Sequence, residues 1–125
     1  MSVFAASRSA LFRAVVDQAG GALSWDGSPQ LQAALKEAAG KVSVPLLGMV
    51  AENDRTTESV TAVVSQAKKH GAAARLIVYP VFKPRENPGG IAPGHMIFSV
   101  QGVGLWESDV KDFLKLEMAV SPASQ

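Results

Sequence analysis

The fold is decided by an apolar stretch near the middle of the chain, Val44-Pro45-Leu46-Leu47-Gly48-Met49-Val50-Ala51, which is followed at once by Glu52-Asn53-Asp54. Hydrophobicity that is continuous rather than alternating predicts a strand buried on both faces, as in a parallel sheet. The proline stands at the start of the stretch, where a missing N–H group is tolerated. Two further apolar stretches, 12–16 and 75–80, have the same character and predict two more strands.

Helical patterns lie between and after these three stretches. The segment 29–39 follows Ser28, a suitable N-cap, and opens on a proline. The segments 57–70 and 106–118 also carry apolar residues at helical spacing, and the first of them ends in two lysines, a histidine and a glycine. Strands that alternate with helices predict an α/β fold, built on a short parallel sheet of about three strands with flanking helices.

The composition is that of one soluble globular domain spanning residues 1–125. Hydrophobic residues make up 47% and charged residues 18% of the chain. With Lys+Arg at 12 and Asp+Glu at 11, the charge gives no electrostatic reason to expect nucleic acid or an anionic membrane as a partner. There is no cysteine and there are only two histidines, which excludes thiolate nucleophiles and multi-histidine metal sites. No metal or organic cofactor is indicated.

The first residues of the chain are not expected to form a signal peptide. Arg8 interrupts the first apolar run too early for a signal peptide, and no stretch approaches the roughly 20 apolar residues of a membrane span. We therefore expect a cytoplasmic protein. Residues 1–10 are interpreted as a helix remnant, and residues 119–125 as a frayed tail.

Polar side chains follow each predicted strand, at the edge where ligands of parallel sheets collect. Asp17 and Gln18 follow the first strand, and Asp54 comes directly after the second. His95 follows a long loop, 81–94, which has three prolines and three glycines. A loop of this length in a compact domain is usually functional or disordered. An acid after one strand and a histidine after the next predict an orienting carboxylate and a general base.

These stretches resemble the C-terminal part of the α/β-hydrolase superfamily, most closely its dienelactone-hydrolase and peptidase-like esterase branches. The stretch 44–54 is similar to the penultimate strand with its acid, Asp54, and the stretch 75–98 is similar to the last strand with the catalytic histidine, His95. The segments 12–21 and 106–114 resemble the preceding strand and the closing helix. The resemblance covers about residues 3–118 and implies a hydrolase of small carboxylic esters.

The nucleophile of that superfamily has no counterpart in the chain. It sits in a Gly-x-Ser-x-Gly elbow, and none of the serines here has a glycine two positions before it. The resemblance therefore implies a truncated domain that begins just after the elbow. Ser24, Ser28 and Ser99 are the serines nearest the expected site, and Ser24 is the one we would assign, although it is not on a strained turn. Water activated by His95 and Asp54 is the other possibility.

Several other residues have simpler interpretations. His70 ends a helix beside two lysines, and Asp26 belongs to a turn before a helix cap. Lys83 and Arg85 are suited to hold a substrate carboxylate, but solvation in a loop is the simpler interpretation. The pair Gly20-Gly21 either brings backbone close to a ligand or forms a turn.

Three functions remain open at this point. The first is an esterase that uses His95 as base and Asp54 as its orienting acid. The second is a non-catalytic dimerisation or binding module, and the third is one half of a split hydrolase whose other chain supplies the serine. A missing neighbour for the strand at 12–16 leaves an open sheet edge, which predicts a homodimer formed through that edge. The alternative is that residues 1–11 fold back over it.

Overall fold

Three parallel strands form the sheet of the molecule, in the order β1-β2-β3. The computed structural model describes residues 3, 4, 7 and 14–123, with side chains as far as Glu117. The strands are β1 (Val15–Gln18), β2 (Leu46–Ala51) and β3 (Ala74–Tyr79). In register, Val15 lies opposite Leu46, and Leu46 lies opposite Ala74. The predicted α/β character and the short parallel sheet are thus confirmed.

Helices connect the strands and close the chain. They are α1 (Pro29–Gly40), α2 (Glu58–Lys69) and α3 (Val103–Ala123), and a 3₁₀ helix (Pro93–Phe98) lies between β3 and α3. The hydroxyl of Ser28 accepts a hydrogen bond from the backbone N–H of Leu31 at 3.1 Å, so the predicted N-cap of α1 is formed. In the described part of the chain, no helix is long and apolar enough to cross a membrane.

The strand β2 is buried along its whole length, as its continuous hydrophobicity predicted. Leu46 and Val50 face the core beneath α1 and α2, whereas Leu47 and Met49 face a second core beneath the 3₁₀ helix and α3. A Cβ atom on Gly48 would lie 2.7 Å from Val60 and 2.6 Å from Val64 of α2. Gly48 therefore lets α2 approach the sheet closely.

The largest difference from the predicted elements is at β1. The prediction placed the strand at 12–16, with Asp17 and Gln18 after it, but the observed strand ends at Gln18 and contains both. The ladder continues because Gln18 lies opposite Met49, whose carbonyl also accepts a bond from the N–H of Ala19. Residues 12 and 13 of the predicted strand lie outside the described residues.

The chain ends also differ from the predictions. Of the predicted helix remnant at 1–10, Val3, Phe4 and Ser7 are helical, and the other residues lie outside the described part. The closing helix is longer than the predicted 106–118, since α3 spans Val103–Ala123. It therefore includes most of the predicted frayed tail, 119–125, whose last two residues are not described.

Candidate functional site

Asp54 is held in the turn that follows β2. Its backbone N–H donates to the carbonyl of Ala51, the last residue of the strand, at 3.1 Å. Its side chain is fully buried. One carboxylate oxygen, Oδ1, accepts from the backbone N–H of Arg55 at 2.6 Å, and the other, Oδ2, lies 2.9 Å from Nδ1 of His95. Both oxygens therefore have a partner, as a buried carboxylate requires.

His95 lies in the 3₁₀ helix, and its side chain is 27% exposed. Because an ionised carboxylate only accepts hydrogen bonds, Nδ1 carries the proton and donates it to Asp54. The other nitrogen, Nε2, makes no hydrogen bond to any residue of the described part of the chain. The imidazole is thereby fixed in the tautomer in which Nε2 is unprotonated and can accept a proton.

The environment of His95 favours its charged form. The hydrogen bond to Asp54 raises the pKa of His95 above its ordinary value, and the negative charge of Asp54 adds to this effect. Partial burial of the ring lowers the pKa, but by less than Asp54 raises it. A histidine whose pKa is raised in this way is a stronger base than a free imidazole, which suits proton abstraction near neutral pH.

Gly94 lets the histidine segment approach the turn after β2. A Cβ atom at this position would overlap the backbone of Asn53 and Asp54. The backbone N–H of Gly94 donates to the carbonyl of Asn53 at 3.1 Å. A residue without a side chain is needed here because the two backbones are in direct contact. The acid and the histidine thus face each other because their own backbones are packed together.

Asn53 makes a second connection between the same two segments. Its Nδ2 donates to the carbonyl of Phe82 at 2.8 Å, and its Oδ1 accepts from the N–H of Phe82, also at 2.8 Å. In the sequence, Asn53 is distinguished only by its position next to Asp54. A single sequence holds no signal for this role, because Phe82 lies 29 residues further along the chain.

A cavity of about 440 Å³ lies beside His95. The turn after β1 forms most of its wall, including Gly20, Gly21 and Ser24, and Leu31 of α1 contributes an apolar side chain. Ser24 is exposed, and the structure brings it to the same cavity as His95, as the predicted nucleophile requires. Gly20 and Gly21 lie in the turn after β1 and line the cavity.

Asp17 does not join this pair. Its side chain is buried under the turn that it helps to form, where Oδ1 accepts from the N–H of Gly20 at 2.9 Å. Its second oxygen, Oδ2, is buried and has no hydrogen-bond partner among the described residues. Burial raises the pKa of Asp17 to about 6, and the bond from Gly20 offsets only part of this effect.

The remaining candidates lie outside the cavity. His70 places Nδ1 2.9 Å from the carbonyl of Gln66 on the surface of α2, and Asp26 is exposed before α1. Lys83 and Arg85 are exposed and do not line the cavity beside His95. The loop that carries them is held by Gln101, whose Oε1 accepts from the N–H of Arg85 at 2.7 Å.

The arrangement is suited to general-base chemistry beside an apolar cavity. Among the described residues, no group of three or more acidic or histidine side chains is placed to hold a metal ion. Comparison with known proteins adds no assignment, since no family model, no curated protein and no solved structure matches the chain.

Proposed function

We propose that this protein hydrolyses small carboxylic esters, with His95 as the general base and Asp54 as its orienting acid. The observation that carries the proposal is the 2.9 Å hydrogen bond between Nδ1 of His95 and Oδ2 of Asp54, whose side chain is fully buried. The free nitrogen of the same ring belongs to a residue that lines a cavity of about 440 Å³. A cavity of this size accommodates a small molecule.

The order of the elements supports the resemblance to the C-terminal part of α/β-hydrolases. The chain has three consecutive parallel strands; the acid follows the second strand, and the histidine follows the third. The class of hydrolase is therefore part of the proposal, and so is the small-ester substrate. The chemistry itself depends only on the pair of residues and the cavity.

In the proposed reaction, Nε2 of His95 removes a proton from the nucleophile as the nucleophile attacks the ester carbonyl. Asp54 stabilises the imidazolium that forms, because its charge lies against Nδ1. The imidazolium then returns the proton to the departing alkoxide, so the ring ends the step neutral. The nucleophile is either a serine, for which Ser24 is the candidate, or water. A serine forms an acyl-enzyme, which water then attacks with His95 again as the base, releasing the acid and the free serine; water as the first nucleophile releases the acid directly.

The first experiment measures hydrolysis of p-nitrophenyl acetate by the purified chain and by His95→Ala at equal concentration. We expect the substitution to lower the rate at least about 100-fold, the range of a lost general base. His70→Ala is the matched control, because the second histidine lies on the surface of α2 and should leave the rate unchanged. Equal rates for His95→Ala and the parent chain would contradict the proposal.

A Ser24→Ala variant in the same assay separates the two nucleophiles. Loss of activity together with an acetylated parent protein in the mass spectrum identifies Ser24. Full activity with an acetylated protein indicates another serine, and full activity without acetylation indicates water. If the parent chain hydrolyses the ester no faster than buffer does, the proposal that this chain alone is a catalyst is wrong. A dimerisation module or one half of a split hydrolase would then be the better hypothesis.

The predicted homodimer is a separate proposal. It is supported by the position of β1, which lies at one edge of the sheet formed by the described strands. Light scattering on the eluting protein gives the mass directly, and a monomer of 13.1 kDa would contradict it.

A further inference from the structure

Asn53 connects the turn after β2 with two distant points of the loop that carries His95. The side chain binds Phe82 through two hydrogen bonds, and the main-chain carbonyl accepts a third from Gly94. Phe82 stands near the start of the loop, and Gly94 stands directly before His95. One residue therefore holds both ends of a long loop.

The two bonds to Phe82 use the N–H and the carbonyl of a single residue. Both measure 2.8 Å, so the amide of Asn53 pairs with Phe82 as a neighbouring strand would. Phe82 is itself buried, with 9% of its surface exposed, and packs in the core beneath α3. Hydrogen bonds that are partly shielded from water in this way hold their geometry more firmly than exposed ones.

The third bond lies next to the catalytic pair. Because Gly94 packs on the peptide that joins Asn53 to Asp54, a shift of this peptide moves both the acid and the histidine segment. Neither atom of the amide contacts the cavity beside His95. Any effect of Asn53 on chemistry must therefore act through Asp54 and His95.

We propose that Asn53 is a positioning residue that sets the distance between the carboxylate of Asp54 and the imidazole of His95. Its relevance to ester hydrolysis rests on the proposed function, but the geometric role stands on the three hydrogen bonds alone. Gln101 also holds the loop, through the backbone of Arg85 and Glu86. Those contacts are exposed and lie in the middle of the loop, away from the pair.

The test is a titration of the two histidines by NMR, in the parent chain and in Asn53→Ala. Asn53→Ala removes the two hydrogen bonds to Phe82 and keeps the main-chain bond to Gly94, so the loop is held by this residue at one end only. The contact between Asp54 and His95 should loosen, and the measured pKa of His95 should fall towards its ordinary value. His70 serves as an internal reference, because it lies at the end of α2 and its signals should be the same in both proteins. A pKa of His95 equal to that of the parent, in a folded variant, would overturn the proposal.

Asn87→Ala is the matched control. Asn87 lies in the same loop, and its Nδ2 donates to the carbonyl of Ile91 at 2.6 Å without contacting either catalytic residue. We expect this variant to titrate as the parent does. An equal fall in both variants would show that any loosening of the loop is sufficient, and the specific role of Asn53 would be wrong.

A second variant covers the case in which Asn53→Ala does not fold. Asn53→Gln keeps the amide but displaces it by one methylene, so the pKa of His95 should fall in the same direction by a smaller amount. If the chain hydrolyses esters, kcat should fall about tenfold with little change in KM, because a misplaced base affects the chemical step. An inactive parent chain would defeat the proposed function, yet the titration would still decide the role of Asn53.

Discussion

The carboxyl ends of β1 and β2 each hold a buried carboxylate, and the two differ in their partners. Asp17 is 4% exposed and Asp54 is 7% exposed. Each accepts one hydrogen bond from a nearby backbone N–H, from Gly20 and Arg55 respectively. Asp54 has His95 as a second partner, whereas the second oxygen of Asp17 has none among the described residues.

The difference shows that a buried carboxylate has different consequences with and without a partner. At Asp17 the bond from Gly20 compensates only part of the lost hydration, so the pKa rises to about 6 and the charged form destabilises the fold. At Asp54 the histidine replaces the lost water, and the effect of the pair is seen in the raised pKa of His95. Only the second arrangement is suited to move a proton to and from a substrate.

Asp17→Asn removes the uncompensated charge, and we expect the largest effect on stability. In the parent chain the pKa of Asp17 rises from 3.8 to about 6 on folding, so the folded state binds more protons between these values. Stability contributed by this residue is therefore lost as the pH rises through that window, by about 3 kcal/mol in all. Asparagine does not titrate, and its oxygen still accepts from Gly20.

Urea unfolding at pH 4 and pH 7 measures this effect. The free energy of unfolding of Asp17→Asn, minus that of the parent, should increase by about 2.4 kcal/mol between the two values, because Asp17 of the unfolded chain is already partly ionised at pH 4. Asp26→Asn is the control, because it makes the same substitution at an exposed position before α1. A difference that does not vary with pH would mean that the pKa of Asp17 is the same in the folded and the unfolded chain, and the contrast with Asp54 would be wrong.

Gly94→Ala should move His95 away from Asp54. The new Cβ would overlap the backbone around Asp54, and backbone yields less readily than a flexible side chain. We expect the variant to be about 2 kcal/mol less stable, the middle of the range for overpacked sites. The hydrogen bond between His95 and Asp54 should also lengthen, which would lower the pKa of His95.

Gly89→Ala is the control for that variant. Gly89 lies in the same loop, and a Cβ atom there would meet nothing within 4 Å. Thermal unfolding of both variants, together with NMR titration of His95, gives the comparison. Equal stability of Gly94→Ala and Gly89→Ala would show that the loop adapts and that contact of the two backbones is not required.

The sequence predicted the sheet because hydrophobic continuity is a local signal. The stretch 44–51 contains β2, and the stretch 75–80 overlaps β3 almost completely. The boundary at β1 was wrong because Asp17 looks like a loop residue, whereas the fold buries it and bonds it to Gly20. No local pattern shows that a charged residue will be covered by the turn that follows it.

The site was predicted in part for a similar reason. Asp54 and His95 were found from their positions after neighbouring strands, and the fold brings them together. Asn53 was missed because its partner, Phe82, is fixed only by the path of a long loop. Residue order indicates which strand ends meet, but it does not indicate how a loop between them is held.

Asp54→Asn tests the partnered carboxylate with the smallest change in shape. The amide oxygen can still accept a hydrogen bond, but the charge that favours the protonated imidazole is lost, so the pKa of His95 should fall. We expect a loss of about 1 kcal/mol in the free energy of unfolding, the usual size of a single weakened hydrogen bond. The pH dependence of that loss distinguishes this site from Asp17.

For a histidine whose pKa is raised on folding, the stabilisation is complete below the unfolded value of 6.5 and is lost as the pH rises through the folded value. Asp54→Asn should therefore cost more at pH 5 than at pH 9, whereas Asp17→Asn should gain stability relative to the parent as the pH rises. Urea unfolding of both variants at the two pH values gives the comparison directly. If the cost of Asp54→Asn did not change with pH, the hydrogen bond to His95 would contribute no charge stabilisation, and the proposed contrast between the two carboxylates would be wrong.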